Sequence, residues 1–171
     1  SEFLKDIELR WTGRAKETGI SFAVQKSNSL PAIITLDRVS LDRVIANLVG
    51  NAIKFTDVGQ VVLFVDCPDD KSLNFTIQDD GMGFSPAALS KLFEYQGRPE
   101  TAEKPGSGLG LFIAKELSDL LGAELEITNR NPKGAKALLR IPHSTWFDRS
   151  LRRNNKSHQV VQDKQVDLSG L

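Results

Sequence analysis

Leu73, Phe75 and Ile77 alternate with Asn74, Thr76 and Gln78, the pattern of a strand with one apolar face, and Asp79 follows in phase with the apolar residues. An ionised carboxylate turned toward a core is costly unless hydrogen-bond donors reach it, and no Lys or Arg occupies an adjacent position on that face. Gly81 and Gly83 follow at once and strip side chains from the adjoining wall. An acceptor-only group beside such an opening suits a ligand with a planar amino group. Adenine presents an exocyclic amine there, whereas guanine would present a carbonyl oxygen and be repelled. A plain glycine turn accounts for Asp79-Asp80-Gly81-Met82-Gly83 about equally well.

Asn47, Asn51 and Lys54 fall within roughly 60° of one another at about 100° per residue on a helix, away from the centre of the apolar face made by Leu41, Ile45, Leu48 and Ala52. Such a stripe is ordinarily a solvated face. Asn is a poor helix former, however, and its carbonyl is a hard oxygen ligand suited to Mg²⁺, an ion that keeps waters and takes phosphate oxygens for the rest of its shell. Lys54 would then reach a phosphate. A third group, Gly106-Ser107-Gly108-Leu109-Gly110-Leu111, feeds from a loop into an apolar-periodic stretch. Free backbone N–H groups at that helix start, clear of side chains, would make a phosphate site. No Lys-Ser or Lys-Thr follows as in a P-loop, and no strand leads straight in as in a dinucleotide fold. Glycines serving only as a hinge would look the same, and residues 95–107, with Pro99, Pro105 and several charges, read as a mobile lid.

The elements that must position these groups are legible from periodicity. Phe3, Leu4, Ile7 and Trp11 predict an opening helix that stops near Gly19, followed by strands at 20–24 and 32–36. Leu41, Val44, Ile45, Leu48, Val49, Ala52 and Ile53 predict the longest helix, and residues 61–65 and 73–77 flank Pro68-Asp69-Asp70-Lys71 as a hairpin. Leu109, Phe112, Ile113, Leu117, Leu120 and Leu121 predict a helix closed by Gly122, with strands at 124–128 and 135–141 beyond. Helices set between hairpins favour an α+β fold, a two-layer sandwich whose mixed sheet is covered on one face. After Pro142 the chain turns basic and polar, and residues 144–171 read as linker.

Composition narrows the partners. Lys plus Arg and Asp plus Glu each number 22 in 171 residues, so no net charge points to nucleic acid or an anionic membrane. Cys67 stands alone and the two histidines, His143 and His158, form no zinc pattern with it, which suits a reducing, cytoplasmic setting. The longest purely apolar run, residues 61–65, is far too short to cross a bilayer.

Taken in order, Asn47-Leu48-Val49-Gly50-Asn51-Ala52-Ile53-Lys54-Phe55-Thr56, then Asp79-Asp80-Gly81-Met82-Gly83, then Leu92-Phe93, then the Gly106 to Leu111 stretch resemble the boxes of the bacterial histidine kinase catalytic domain. The resemblance implies a Bergerat-type ATP-binding domain over residues 1–143. The linker over 144–171 ends in Val166-Asp167-Leu168-Ser169-Gly170-Leu171, which looks like the approach to a receiver domain in hybrid kinases. It also implies ATP and Mg²⁺ as cofactors, with Asn51 as the metal ligand and Asn47 and Lys54 near the phosphates. Asp79 would take the adenine amine, Gly81 and Gly83 would line the base pocket, and Phe93 would anchor the near end of the lid. Gly106, Ser107, Gly108, Leu109 and Gly110 would receive the phosphates. The chain departs from the family where Ala123 follows Gly122, where Phe55 replaces a frequent Tyr, and at Gly134-Ala135-Lys136-Ala137, a stretch that reads mainly as sheet packing.

Topoisomerase-type members of the superfamily place a Glu base where this chain has Asn47. An amide accepts no proton at neutral pH, so rapid ATP hydrolysis is disfavoured and transfer to an external nucleophile fits better. By resemblance that nucleophile is a histidine on a dimerisation domain of the same parent, a homodimer, and the phosphoryl group passes on to a receiver domain or response regulator. Neither His143, after Pro142, nor His158, before Gln159, has the family's acidic successor. A non-catalytic nucleotide-sensing or docking module, and an anti-sigma-type serine kinase, are the alternatives.

Overall fold

The computed structural model describes residues 2–94, 107–146 and 165–171. Helix α1 (Phe3–Glu17) turns Phe3, Leu4, Ile7, Trp11 and Ala15 inward, the spacing of one helical face. Strands β1 (Ser21–Lys26) and β2 (Ile33–Thr35) lead to α2 (Arg38–Lys54), whose start is capped by the Asp37 carboxylate accepting from the Ser40 N–H at 3.1 Å. Strands β3 (Gln60–Asp66) and β4 (Ser72–Asp79) form the expected hairpin, with Asp70 left-handed at φ 53° in its turn. Helices α3 (Pro86–Ser90) and α4 (Ser107–Leu120) precede β5 (Glu124–Asn129), β6 (Ala135–Pro142) and β7 (Gln165–Asp167).

Five strands form one sheet in the order β1-β3-β4-β6-β5, parallel between β1 and β3 and antiparallel elsewhere. The register sets Ile77 of β4 between Leu63 of β3 and Ala137 of β6. Helix α1 packs on β1, α2 on β3 and β4, and α4 on β5. The side chains facing these helices, such as Leu63, Phe75 and Leu139, are fully buried, while Phe64, Glu124, Glu126 and Arg140 on the opposite face are exposed. Alternation along each strand therefore delivers the mixed sheet covered on one face that the sequence predicts. Among the described residues no helix is long and apolar enough to cross a membrane.

Two features depart from expectation. Helix α3, with Ser85 accepting from the Ala88 N–H at 3.1 Å and Pro86 at its start, is five residues long, too short for periodicity to register. Residues 144–171, expected as linker, belong to the fold at both described ends. Trp146 is buried and its Nε1–H donates to the Ile141 carbonyl at 3.1 Å. Strand β7 pairs antiparallel with β2, Val166 opposite Ile34, and the Leu168 N–H donates to the Ala32 carbonyl at 2.8 Å. Val166 and Leu168 are buried while Asp167 between them is not, so this segment obeys strand parity over too few residues to be noticed. Leu168→Ala is expected to destabilise the domain by about 2–5 kcal/mol in urea titration, the cost of a core cavity; an unchanged midpoint would mean the segment contributes nothing to the fold.

Candidate functional site

Asp79 ends β4 with its side chain in the layer between sheet and helices, 8% exposed. Two backbone amides answer the charge there: the Gly81 and Ala135 N–H groups both donate to Oδ1, at 2.9 and 3.1 Å. Neither uses Oδ2. Burial nonetheless holds the carboxyl above its ordinary pKa, against the two amides and the nearby Arg130, with Asp80 adding repulsion. The close approach at Gly81 is possible only without a side chain, since a Cβ there would stand 2.6 Å from the Phe55 carbonyl oxygen at the end of α2.

Asp79 forms part of the wall of a cavity of about 180 Å³. Leu48, Asn51 and Ala52 of α2 with Phe55 at its C-cap make one side; Ile77, Ile127, Ala135 and Ala137 of the sheet make the other; Leu111 of α4 and residues 82–84 close it. An apolar cavity of roughly 150 Å³ admits a benzene ring, so a flat aromatic base is a reasonable occupant in size. Gly83 lines the cavity and Met82, 86% exposed, forms its lip.

Beside the cavity, at Asn51, the asparagine stripe meets the glycine-rich start of α4. A Cβ on Gly110, in the first turns of α4, would lie 3.3 Å from Asn51 Nδ2 and 3.6 Å from Asn47 Oδ1. Both amides thus face α4, brought there by the packing of α2 against α4. Among the described residues Asn51 Nδ2 is buried without a hydrogen-bond partner, a donor awaiting an acceptor. Among the described residues no three His, Cys, Asp or Glu side chains cluster as a metal site, so a divalent ion here would rely on amide oxygen plus oxygens of its own ligand. The Asn51 amide fits that demand: its Oδ1 is a hard ligand and its unpartnered Nδ2 can serve a phosphate oxygen.

The structure thus sets Asn51, Asp79 and Gly83 in the wall of one cavity, with Gly81 against Asp79 and Gly110 beside Asn51 and Asn47. Lys54 sits half-buried one turn further along α2 with Nζ 5.8 Å from the Phe55 ring centroid. Leu109 is 47% exposed on α4. Phe93 packs on the edge of the core beneath Lys115, whose Nζ is 5.9 Å from its ring, and is not part of the cavity wall. Ser107 and Gly108 begin α4, so the expected lid over 95–107 ends inside that helix at Ser107, while its other residues, Gly106 among them, lie outside the described residues. Sequence reasoning missed Gly134, Ala135 and Ala137. Read mainly as sheet packing, they in fact supply one of the two amides on Asp79 and part of the cavity wall. The signal was present: two alanines two apart on the core face of a strand otherwise bearing Leu139 and Ile141 leave room for something.

Known proteins share this sequence pattern and fold. The profile described as histidine kinase-, DNA gyrase B-, and HSP90-like ATPase matches residues 36–145. The chain is 39% identical over 121 residues to the aerobic respiration control sensor protein ArcB homolog of Haemophilus influenzae, covering 70% of this chain and 37% of that protein. It is 31% identical over 145 residues to ArcB of Escherichia coli, covering 82% and 19%, and 38% identical over 120 residues to the virulence sensor protein BvgS of Bordetella pertussis, covering 66% and 10%. The chain therefore spans well under half the length of these relatives. Among solved structures, full-length ShkA in complex with AMPPNP superimposes with a TM-score of 0.71 at 31% identity, over 82% of this chain and 29% of that one. The mycobacterial sensor histidine kinase MprB gives 0.63 at 25% identity, over 81% and 94%. Matched by that family profile over residues 36–145, the chain belongs to the histidine kinase-, DNA gyrase B- and HSP90-like ATPase family.

Proposed function

We propose that this chain is the catalytic, ATP-binding domain of a two-component sensor histidine kinase, delivering the γ-phosphoryl group of Mg-ATP to a histidine on a dimerisation domain of the same parent protein. The observation that supports the proposal is a buried carboxylate, one oxygen uncommitted to the two amides, in the wall of the same apolar cavity as Asn51, whose amide abuts the start of α4 at Gly110. Asp79 accepts the adenine amine, and Gly81 and Gly83 keep the base wall open. Asn51 holds Mg²⁺, which neutralises phosphate charge when bound. Asn47 and Lys54 lie toward the phosphates, and the first turn of α4 from Ser107 to Gly110 offers backbone donors. Because Asn47 takes no proton, this chain's residues position and neutralise rather than activate water, and a neutral imidazole needs no such activation. The parent is then a cytoplasmic-facing homodimer with a receiver domain or response regulator as the onward acceptor.

The test mixes this chain with a separately prepared histidine-bearing dimerisation domain and γ-labelled ATP. Acid-labile, alkali-stable label on the partner is expected with Mg²⁺, falling at least tenfold in Asn51→Ala. Nucleotide binding without transfer would favour a sensing module, and acid-stable label would favour a serine kinase; either sinks the histidine kinase reading.

A further inference from the structure

The loop over residues 79–84 carries Asp79, two glycines and Phe84, and both of its ends are gripped by neighbouring residues of one short stretch. Asn129, the last residue of β5, pairs with the Phe84 backbone as another strand would: its Nδ2 donates to the Phe84 carbonyl at 2.7 Å, and the Phe84 N–H donates to its Oδ1 at 2.8 Å. Arg130 takes the other end. Its Nη1 donates to the Asp79 carbonyl at 2.7 Å and to Asp80 Oδ1 at 3.1 Å. The Arg130 N–H donates to the Gly134 carbonyl at 2.8 Å, and Asp80 Oδ2 accepts from the Gln60 N–H at 3.0 Å, so the grip extends to the β5–β6 turn and to β3. Successive residues at a strand end point to opposite sides, which is how one dipeptide reaches both.

We infer that Asn129 and Arg130 are positioning residues of the base pocket, stapling the 79–84 loop so that the Asp79 carboxylate and the Phe84 wall stand at the separation adenine requires; this deepens the ATP reading above and rests on it. Both loop ends border the cavity, through Asp79 and Phe84, while the intervening glycines raise the number of backbone conformations open to the loop. Asn129 is exposed and Arg130 only half-buried, so these bonds add little to the stability of the whole domain. Their effect falls on where the loop sits. Among the described residues Arg130 brings the cation that faces Asp79: Asp80, just past β4, adds a like charge, α2 and its C-cap contribute the uncharged Asn51 and Phe55 with Lys54 near the Phe55 ring, and β6 contributes Ala135.

The experiment titrates the chain and its Asn129→Ala, Arg130→Gln and Arg130→Lys variants with Mg-ATP and Mg-GTP across a pH series, with melting midpoints alongside. Each of Asn129→Ala and Arg130→Gln is expected to weaken ATP binding about tenfold, GTP binding less, so that base discrimination narrows at nearly constant melting midpoint. In Arg130→Gln the acid limb of ATP affinity should move to higher pH; Arg130→Lys should restore that limb but not the discrimination. Equal losses for the two nucleotides, or losses that track the melting midpoint, overturn the inference. A wild-type chain that takes up no ATP overturns both readings, whereas wild-type binding with unaltered variants overturns this one alone.

Discussion

Asp79→Asn should weaken ATP binding by roughly 10–100-fold and narrow or reverse the preference for adenine over guanine nucleotides, without lowering the melting temperature of the nucleotide-free domain. A hydrogen bond to a charged group contributes about 1.5–3 kcal/mol net, and an Asn that keeps its Oδ1 on the two amides turns an NH₂ toward the cavity. That donor opposes the adenine amine and suits a 6-carbonyl. Stability moves the other way. The folded pKa of Asp79 is raised, with burial the principal cause, so its favourable contribution is fully present below the ordinary carboxylate pKa and is lost as pH rises through the raised value. At neutral pH the wild type carries the cost of a buried charge that the amide does not. The variant should thus melt at or above the wild type at pH 7, and the gap should close in acid. ATP affinity of the wild type should rise with pH through the raised pKa, because the ionised form is the better acceptor. Calorimetric titration and thermal melts check all three; intact affinity in Asp79→Asn would remove this carboxylate from the site.

Gly134→Ala should be the most damaging of the small substitutions. Gly134 has φ +95°, and a Cβ there would stand 2.0 Å from the Asp79 carbonyl oxygen, which is backbone and has no side chain to swing away. The left-handed conformation alone costs of order 1–3 kcal/mol for a non-glycine residue, and relieving the clash must displace either the β5–β6 turn or the end of β4. A loss of about 2–4 kcal/mol in denaturant titration is expected, together with ATP binding, since Ala135 would no longer reach Asp79 Oδ1. Gly13, in the exposed face of α1 with nothing within 4 Å of its Cβ position, is the control. Gly13→Ala should stabilise by up to about 1 kcal/mol through helix propensity. Equal melting of the two variants would contradict the close approach at Gly134.

The residues that could be read directly were those whose local period reports a face. Strand parity put Asp79 with the apolar residues of β4, and helical period put Asn47 and Asn51 on one stripe of α2, because each depends only on the geometry of a single element. The same reasoning failed at β7, where three paired residues are too few to show a period, and at Gly134-Ala135, whose importance lies in which backbone they touch.

By itself the sequence determined the longer secondary elements, though not α3 or β7, the face each turns inward, and the chemical kinds at hand: one acceptor, two hard amides and a glycine-rich helix start. Only the tertiary structure decided that Asp79 and Asn51 share a cavity with α4 starting beside it, because β4, β5, β6 and two helices meet through contacts far apart along the chain. It also decided that Asp79 stays buried with one oxygen held by two amides, one of them 56 residues away, and that the far C-terminal segment closes beside β2. Local periodicity encodes direction relative to a core; which direction meets which is set by long-range packing, and no single element carries that information.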